Sequence, residues 1–425
     1  MSDTVGTRNG LALTGGTPAV TLKCSPWPVV TDQEVQWMEQ VVRSGKWSWM
    51  GEQEQAFCSE FAEFIGSKHC LCLSNGTVTI QCALQAVGVE PGDEVIVPAL
   101  TWVATAQAAM DIGANVVLVD IDPETYCIDP VAAGAAITGK TKAIVPVHLY
   151  GCMSDMDAIM EIARRHDLKV VEDAAHQHAS RWRDRGAGVI GDAASFSFQQ
   201  SKSLTCGEGG AITCEDYDTY ETAFCLKQVG WTPGPEMKPG NRYGHNYRIT
   251  EMQCVLLRGG LTRLAEQTAI REENAALFGA GLDELGGPLR AAKRDPRVTR
   301  QAYYAMTLHF DPSQAEGLSR EQYTAALAAE GCNIGGTYAA VYSNPLLNLY
   351  DRTSPIPYRD PAAVQNYAEL RLPVTERVVN ETGATLSHYN LLAGREYIQQ
   401  LLQAIEKVDD NLACVKQYYA EQNPQ

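Results

Sequence analysis

From about residue 33 onward, short apolar runs alternate with longer amphipathic stretches. Gln33 to Arg43 carries Val35, Met38, Val41 and Val42 at helical spacing and stops at Ser44-Gly45. Cys70–Leu73, Glu94–Val97, Val116–Val119, Ala143–Val147 and Lys169–Glu172 have the length and make-up of buried strands. Between them, Val78–Val87, Thr105–Met110, Pro130–Ile137 and Met156–Arg165 are patterned as helices. Strands alternating with helices of this length predict βαβ units, and hence an α/β fold with a mostly parallel central sheet flanked by helices. Ligands of such sheets bind beyond the carboxyl ends of the strands, where the loops gather. Those loops are where chemistry is expected.

The pattern changes after Thr250. Thr250 to about Gly286, rich in Leu, Ala, Glu and Arg, predicts one or two long helices. Beyond it, Tyr303–Phe310, Arg320–Glu330 and Glu396–Ala413 mix strand and helix periods, which points to a second, smaller α+β domain. The expected division is an N-terminal arm at 1–30, a large domain at 31–268 and a small C-terminal domain at 269–425.

Charge and composition narrow the partners. The 425 residues include 51 Asp+Glu against 34 Lys+Arg, a formal charge of −17. Such a surface repels nucleic acid and anionic membrane, so neither is expected, while a small phosphorylated ligand in a locally polarised pocket stays compatible. With 45% hydrophobic residues the chain has ample material for buried cores. Its 13 cysteines are scattered singly apart from Cys70 and Cys72, with no CxxC pair, and read as small buried hydrophobes in a reducing cytoplasm. Met1–Val5 lacks the basic and apolar regions of a signal peptide, and no apolar run reaches the ~18 residues of a membrane span. A soluble cytoplasmic protein is expected.

Three places can carry chemistry. Ser74-Asn75-Gly76-Thr77 joins a predicted strand to a predicted helix, and a helix N-terminus offers free N–H groups and a positive dipole end to a phosphate. The same residues also read as an ordinary N-cap. Asp173 follows the strand Lys169–Glu172, where a buried carboxylate requires something cationic: a metal, an arginine or a protonated ring nitrogen. His176 and His178 follow closely, so Asp173, His176 and His178 form a conceivable metal cluster, but no fourth ligand of recognisable spacing appears and no metal is expected. The third place is Ser195–Gly210, in which strand-like Ser195–Phe198 leads into a polar loop holding Lys202 and then Gly207-Glu208-Gly209-Gly210. A lysine at the sheet's ligand edge can form a Schiff base with an aldehyde or ketone. A phosphate cradle, a carboxylate for a ring nitrogen and a Schiff-base lysine together are what pyridoxal 5′-phosphate requires of a protein.

At these residues the chain resembles the DegT/DnrJ/StrS sugar aminotransferases, of pyridoxal-phosphate fold type I. The resemblance runs from about Trp27 to about 410. It is carried by Asn75-Gly76-Thr77, Pro98-Ala99-Leu100-Thr101-Trp102, Pro146-Val147-His148-Leu149-Tyr150-Gly151 and Glu172-Asp173-Ala174-Ala175-His176. Phe196-Ser197-Phe198 with Lys202, Gly207–Gly210, and Asn246-Tyr247-Arg248 with Glu251 complete it. The resemblance implies that Lys202 binds the cofactor and moves the substrate proton, that Asp173 pairs with the ring nitrogen, and that His176 lies near the ring hydroxyl. It further implies that Trp102 stacks on the ring, that Gly76, Thr77 and Ser197 hold the phosphate, and that Asn246 reaches the phosphate of a neighbouring subunit. A homodimer with shared active sites follows. Ala179 departs from the pattern, standing where many relatives have glycine.

For the substrate, Glu124–Pro130, Thr141–His148 and Gln199-Gln200-Ser201-Lys202 look closest to the subgroup that aminates scyllo-inosose or its 2-deoxy relative with L-glutamine. The expected activity is therefore transfer of an amino group from L-glutamine or L-glutamate to a ketocyclitol in antibiotic biosynthesis. Gly45–Gly51 and Ser74-Asn75-Gly76-Thr77 pull toward the 3-amino-5-hydroxybenzoate synthases, which eliminate water, and nucleotide-linked keto-sugars are the remaining substrates of the family. A chain that has lost catalysis and acts as a regulatory subunit is the non-enzyme alternative. Gly335-Gly336-Thr337-Tyr338 and Ser387-His388-Tyr389-Asn390 are candidates for shaping the substrate pocket.

Overall fold

The computed structural model describes residues 10–49, 51–234, 236, 238–240, 242–347 and 365–422. Residues 1–9 of the expected arm, Met50 within Gly45–Gly51, and 348–364 and 423–425 of the expected small domain lie outside the described residues.

Helices α1 (Asp32–Ser44) and α2 (Glu52–Ile65) precede the first strand. There follow β1 (His69–Leu73), α3 (Gly76–Ala86), β2 (Glu94–Pro98), α4 (Ala104–Asp111), β3 (Asn115–Val119), α5 (Pro130–Ala135), β4 (Thr141–Ile144), α6 (Met156–His166) and β5 (Lys169–Asp173). A short hairpin, β6 (Arg181–Trp182) and β7 (Arg185–Gly186), leads to β8 (Ala193–Ser197), β9 (Gly210–Cys214) and α7 (Tyr217–Lys227). The seven long strands form one sheet in the order β1-β9-β8-β5-β4-β2-β3. All neighbours are parallel except those of β9, which runs antiparallel to both β1 and β8. The strand pattern thus appears as expected, apart from the reversal at β9. The expected strand Ala143–Val147 ends its ladder at Ile144 and continues only through a single bridge from Val147 to Asp173.

The sheet is covered on both faces, as parallel sheets are. Along β1, Cys70 and Cys72 enter the core that contains Phe57 and Phe61, while Leu71 and Leu73 enter the core on the other face. That alternation is the two-residue period of a strand.

A single 35-residue helix, α8 (Glu251–Leu285), occupies the stretch where one or two were expected. Thr250 and Gln253 form a capping box at its start, and Gly286 ends it with φ 65, a left-handed conformation that glycine adopts without strain. Leu257, Leu261 and Leu264 of α8 pack in the core beneath the large sheet, whereas Ala275, Phe278 and Leu282 pack in a third core. The expected boundary at 268/269 therefore falls inside a continuous helix.

The third core is closed by a four-stranded antiparallel sheet, β10 (Leu289–Ala291), β12 (Ala305–Phe310), β14 (Gly383–Ser387) and β13 (Gly335–Gly336), in that order. Strand β11 (Val298–Arg300) instead pairs with the β6–β7 hairpin. The helices here are α9 (Arg320–Ala329), α10 (Pro373–Arg377), α11 (His388–Leu391), α12 (Arg395–Asp409) and α13 (Leu412–Gln422). Glu396–Ala413 is thus two helices rather than one run, divided at Asp410-Asn411. Leu11, from the segment read as an arm, is fully buried in this core. No helix of the described residues is long and apolar enough to cross a membrane.

Candidate active site

Four strand ends converge on one cavity of about 770 Å3. The end of β1 delivers Gly76 and Thr77 at the start of α3, the end of β2 delivers Thr101 and Trp102, β5 ends on Asp173, and β8 ends on Ser197 with Lys202 five residues on. The β8–β9 hairpin returns the chain through Gly207–Gly210, so the loop bearing Lys202 is tied to the sheet at both ends: Phe198 N–H donates to Gly209 O at 2.8 Å and Cys206 N–H to Phe198 O at 3.1 Å.

At the start of α3, Asn75 Oδ1 accepts from Val78 N–H at 3.0 Å. Asn75 is thus the cap, and Gly76 and Thr77 line the cavity with the first-turn amides, which have no intrahelical partners. A Cβ at Gly76 would lie 2.7 Å from Ser197 Cβ, so only glycine lets the helix start seat directly on the end of β8.

Asp173 is buried. Thr105 Oγ1 donates to its Oδ2 at 2.7 Å, and Ala175 N–H to its Oδ1 at 3.2 Å. Burial raises its pKa above the usual carboxylate range, against those two hydrogen bonds and the charge of Lys202. Among the described residues no cation forms an ion pair with it. Lys202 is 9% exposed, and its Nζ sits 4.4 Å from the centre of the Tyr304 ring. Burial pushes the ammonium down to about 8, with Asp173 opposing the shift. At neutral to mildly alkaline pH this amine exists in both protonation states.

His176 is buried, accepts Tyr150 N–H at its Nδ1 (3.0 Å) and stacks on Tyr304 with ring centres 3.9 Å apart. Burial and the charge of Lys202 drive its pKa well below 6.5, so it is neutral. His178 does not line the cavity. Its Nε2–H donates to Ser197 O at 2.8 Å, and Ser203 Oγ lies 3.2 Å from its Nδ1. Burial pushes it down to about 3. Asp173, His176 and His178 thus face separate partners and do not converge as metal ligands. Trp102 is 58% exposed at the cavity mouth, 5.5 Å from the Tyr338 ring, and is no core residue.

Asn246 lies outside this cavity. It is exposed between α7 and α8, where its Oδ1 accepts from Arg248 N–H at 3.4 Å. Glu251, from the same motif, is buried and caps α2, accepting from Gln53 N–H and Glu54 N–H at 2.8 and 3.0 Å. Ala179 does not adopt a positive φ, so no glycine is required there.

Three residues of the site were not singled out by sequence. Thr105 read as part of an apolar helix, and its position on the first turn of α4 was the one available signal. Tyr304 precedes β12, over 100 residues downstream of Lys202, with no local motif; its hydroxyl meets Ser201 Oγ at 3.1 Å. Gln199 was quoted only within the segment Gln199-Gln200-Ser201-Lys202, with no role of its own, and it lines the cavity. Tyr338, within a segment that was singled out, reaches the cavity because Leu100 pairs with Ala340 and Tyr338 N–H donates to Tyr150 Oη at 2.7 Å. His388 does not line the cavity but buttresses it: its Nε2–H donates to Ser201 O at 2.9 Å, and the buried Arg271 donates to its Nδ1 at 3.3 Å.

These side chains suit pyridoxal 5′-phosphate. A buried carboxylate without an ion-pair partner suits a protonated ring nitrogen. A glycine-cleared helix N-terminus beside a serine suits a phosphate, and a buried lysine with a depressed pKa suits a Schiff-base amine.

The chain matches the DegT/DnrJ/EryC1/StrS aminotransferase family over residues 28–405. It is 36% identical over 426 residues to the L-glutamine:scyllo-inosose aminotransferase of Streptomyces griseus, covering 95% of this chain and 98% of that protein. It is 35% identical over 418 residues to the L-glutamine:2-deoxy-scyllo-inosose aminotransferase of Micromonospora echinospora, covering 94% and 98%. Among solved structures, that of 3-amino-5-hydroxybenzoic acid synthase superposes with a TM-score of 0.80 at 33% identity, over 92% of this chain and 99% of that one. With the match spanning most of its length and the relatives aligning almost end to end, this chain belongs to the DegT/DnrJ/EryC1/StrS aminotransferase family, fold type I enzymes whose cofactor is pyridoxal 5′-phosphate.

Proposed function

We propose that the protein transfers an amino group from L-glutamine, or L-glutamate, to a ketocyclitol such as scyllo-inosose, in antibiotic or related secondary metabolism. The observation that carries the substrate choice is the charge of the cavity. Among its described lining residues Lys202 is the sole Lys or Arg, while Thr101, Gln199, Glu208, Tyr304 and Tyr338 offer neutral or acidic hydrogen-bonding groups. A neutral polyol is matched by such a wall. A nucleotide diphosphate would have no cation to meet beyond the one required for catalysis. The two inosose aminotransferases at 35–36% identity support the same substrate class.

Pyridoxal phosphate supplies an aldehyde for the amine and a ring that accepts the electron pair left when the substrate carbon loses its proton. Lys202 Nζ would hold it and, as a free amine, would take the substrate proton and return it; a pKa of about 8 leaves a useful fraction of the amine unprotonated. Asp173, held by Thr105 and Ala175, would keep the ring nitrogen protonated. Gly76, Thr77 and Ser197 would hold the phosphate, Trp102 would pack against the ring, and His176 would meet the ring hydroxyl as a neutral imidazole that adds no competing charge. The working unit is a cytoplasmic homodimer in which Asn246 reaches the phosphate in the partner's cavity. Its exposure outside its own cavity supports that role, as do the exposed aromatics Trp47, Trp49 and Tyr243 around the same region.

The test is a half-reaction. The enzyme is converted to its amino form with L-glutamine, freed of donor and offered scyllo-inosose, its 2-deoxy analogue or a nucleotide-linked keto-sugar, while the visible absorbance is followed. Return of the starting spectrum with a cyclitol is the expected result. Return with the nucleotide sugar alone overturns the reading, and silence with all three moves the enzyme toward the dehydratase chemistry of the 3-amino-5-hydroxybenzoate synthases.

A further inference from the structure

We propose that Cys58, Cys70 and Cys72 form a binding site for a thiophilic d10 cation of the Zn2+ or Cd2+ type. The site is separate from the Lys202 cavity.

Cys70 and Cys72 are two residues apart on β1, so both point to the face on which α2 packs, and Cys58 comes down from α2. The three Sγ atoms lie within 4.8 Å of one another, and Cys58 Sγ is 3.6 Å from Cys72 Sγ. In a tetrahedral thiolate site with Zn–S near 2.3 Å, neighbouring sulfurs are separated by about 3.8 Å. The Cys58–Cys72 separation is close to that value and the other two stay below 4.8 Å, a difference that side-chain rotation can take up. Among the described residues no other group of three His, Cys, Asp or Glu side chains converges in this way.

Access and charge also fit. Cys58 and Cys70 border a surface pocket of about 370 Å3 that shares no lining residue with the Lys202 cavity. The pocket gives an ion an entry path to Cys58 and Cys70, and a water from it would complete the coordination. Binding breaks three S–H bonds and releases three protons to water. A divalent ion with three thiolates and one water carries a net charge of −1. The buried Lys227 ammonium, paired with Glu54, and Lys68 and Arg248 at the rim leave the pocket wall cationic on balance, which offsets that charge.

The experiment titrates reduced, chelator-washed holoenzyme with Cd2+ alone and follows the ultraviolet sulfur-to-cadmium charge-transfer band. The expected result is a band that saturates at one ion per chain, is bleached by competing Zn2+, and is lost in Cys58→Ser and Cys72→Ser. It persists in Cys332→Ser, a buried thiol of the third core. Each variant is checked for an intact cofactor spectrum. Should Cys72→Ser fail to fold, Cys58→Ser decides, since Cys58 is half-exposed on α2. Absence of the band in the parent enzyme, or its survival in the folded Cys58→Ser protein, overturns the proposal.

Discussion

Replacing Lys202 with methionine should abolish transamination and at the same time stabilise the apoenzyme. The folded protein holds this ammonium at about 8, against 10.5 for an exposed lysine, because the side chain is 9% exposed among Tyr304, His176 and the strand ends. Asp173 attracts the charge but does not compensate for the lost hydration. The difference, 10.5 − 8, at 1.36 kcal/mol per pKa unit corresponds to about 3 kcal/mol of instability. Its pH dependence has a definite sign. Between pH 8 and 10.5 the unfolded chain binds more protons than the folded one, so stability rises with pH across that window. Below pH 8 the full cost is present. A methionine of similar length removes it, so Lys202→Met should be more stable than the parent by about 1–3 kcal/mol at pH 7, with the gap closing toward pH 10.5. Denaturant melts of the two apoenzymes at a series of pH values measure this directly. A variant no more stable at pH 7, or a gap that stays constant up to pH 10.5, would refute the burial of a strained ammonium at this position.

Other perturbations test the surrounding frame. Gly76→Ala should weaken cofactor binding roughly 5- to 150-fold in equilibrium dialysis, the equivalent of about 1–3 kcal/mol of overpacking against Ser197; adding Ser197→Gly should restore thermal stability without restoring affinity. Thr105→Val removes the 2.7 Å hydrogen bond to Asp173 and should lower kcat about 10- to 150-fold while the melting temperature changes little. Glu172 is buried, yet its hydrogen bonds from His148 and the N–H groups of Gly188, Ile190 and Gly191 hold its pKa below the usual value. Its contribution is therefore present above the usual carboxylate pKa and lost as pH falls through the depressed one, and Glu172→Gln should cost about 3 kcal/mol in a urea melt at pH 7. If the proposed homodimer shares its sites, Asn246→Ala and Lys202→Ala proteins, each inactive alone, should regain turnover when unfolded and refolded together, because a mixed dimer would contain one intact site.

The legibility of the site followed the range of the interactions that build it. Asn75-Gly76-Thr77, Asp173 and Lys202 stand at junctions where a strand's two-residue period gives way to a loop, and such junctions are written in neighbouring residues. Tyr304 was invisible because it enters the site from a strand of another sheet, through its stack on His176 and its contact with Ser201, neither of which leaves a mark near residue 304. Thr105 was masked by the apolar pattern of its own helix. The reversal of β9 was hidden as well, since Gly210–Cys214 is buried along its whole length and carries no sign of direction.

By itself the sequence determined the alternation of strands and helices, the carboxyl-end position of the cavity, the acidic character of the chain, and the three segments that the cavity brings together. These depend on local periodicity and on side-chain chemistry that does not change with context. Only the tertiary structure decided that α8 is one helix shared by two cores, that His178 binds a backbone carbonyl rather than lining the site, that Lys202 is desolvated to a pKa of about 8, and that Asp173 has Thr105 for a partner. Those outcomes depend on which distant segments exclude water from a given side chain. Burial and partnership are properties of the packed assembly, set by contacts whose partners lie far apart along the chain.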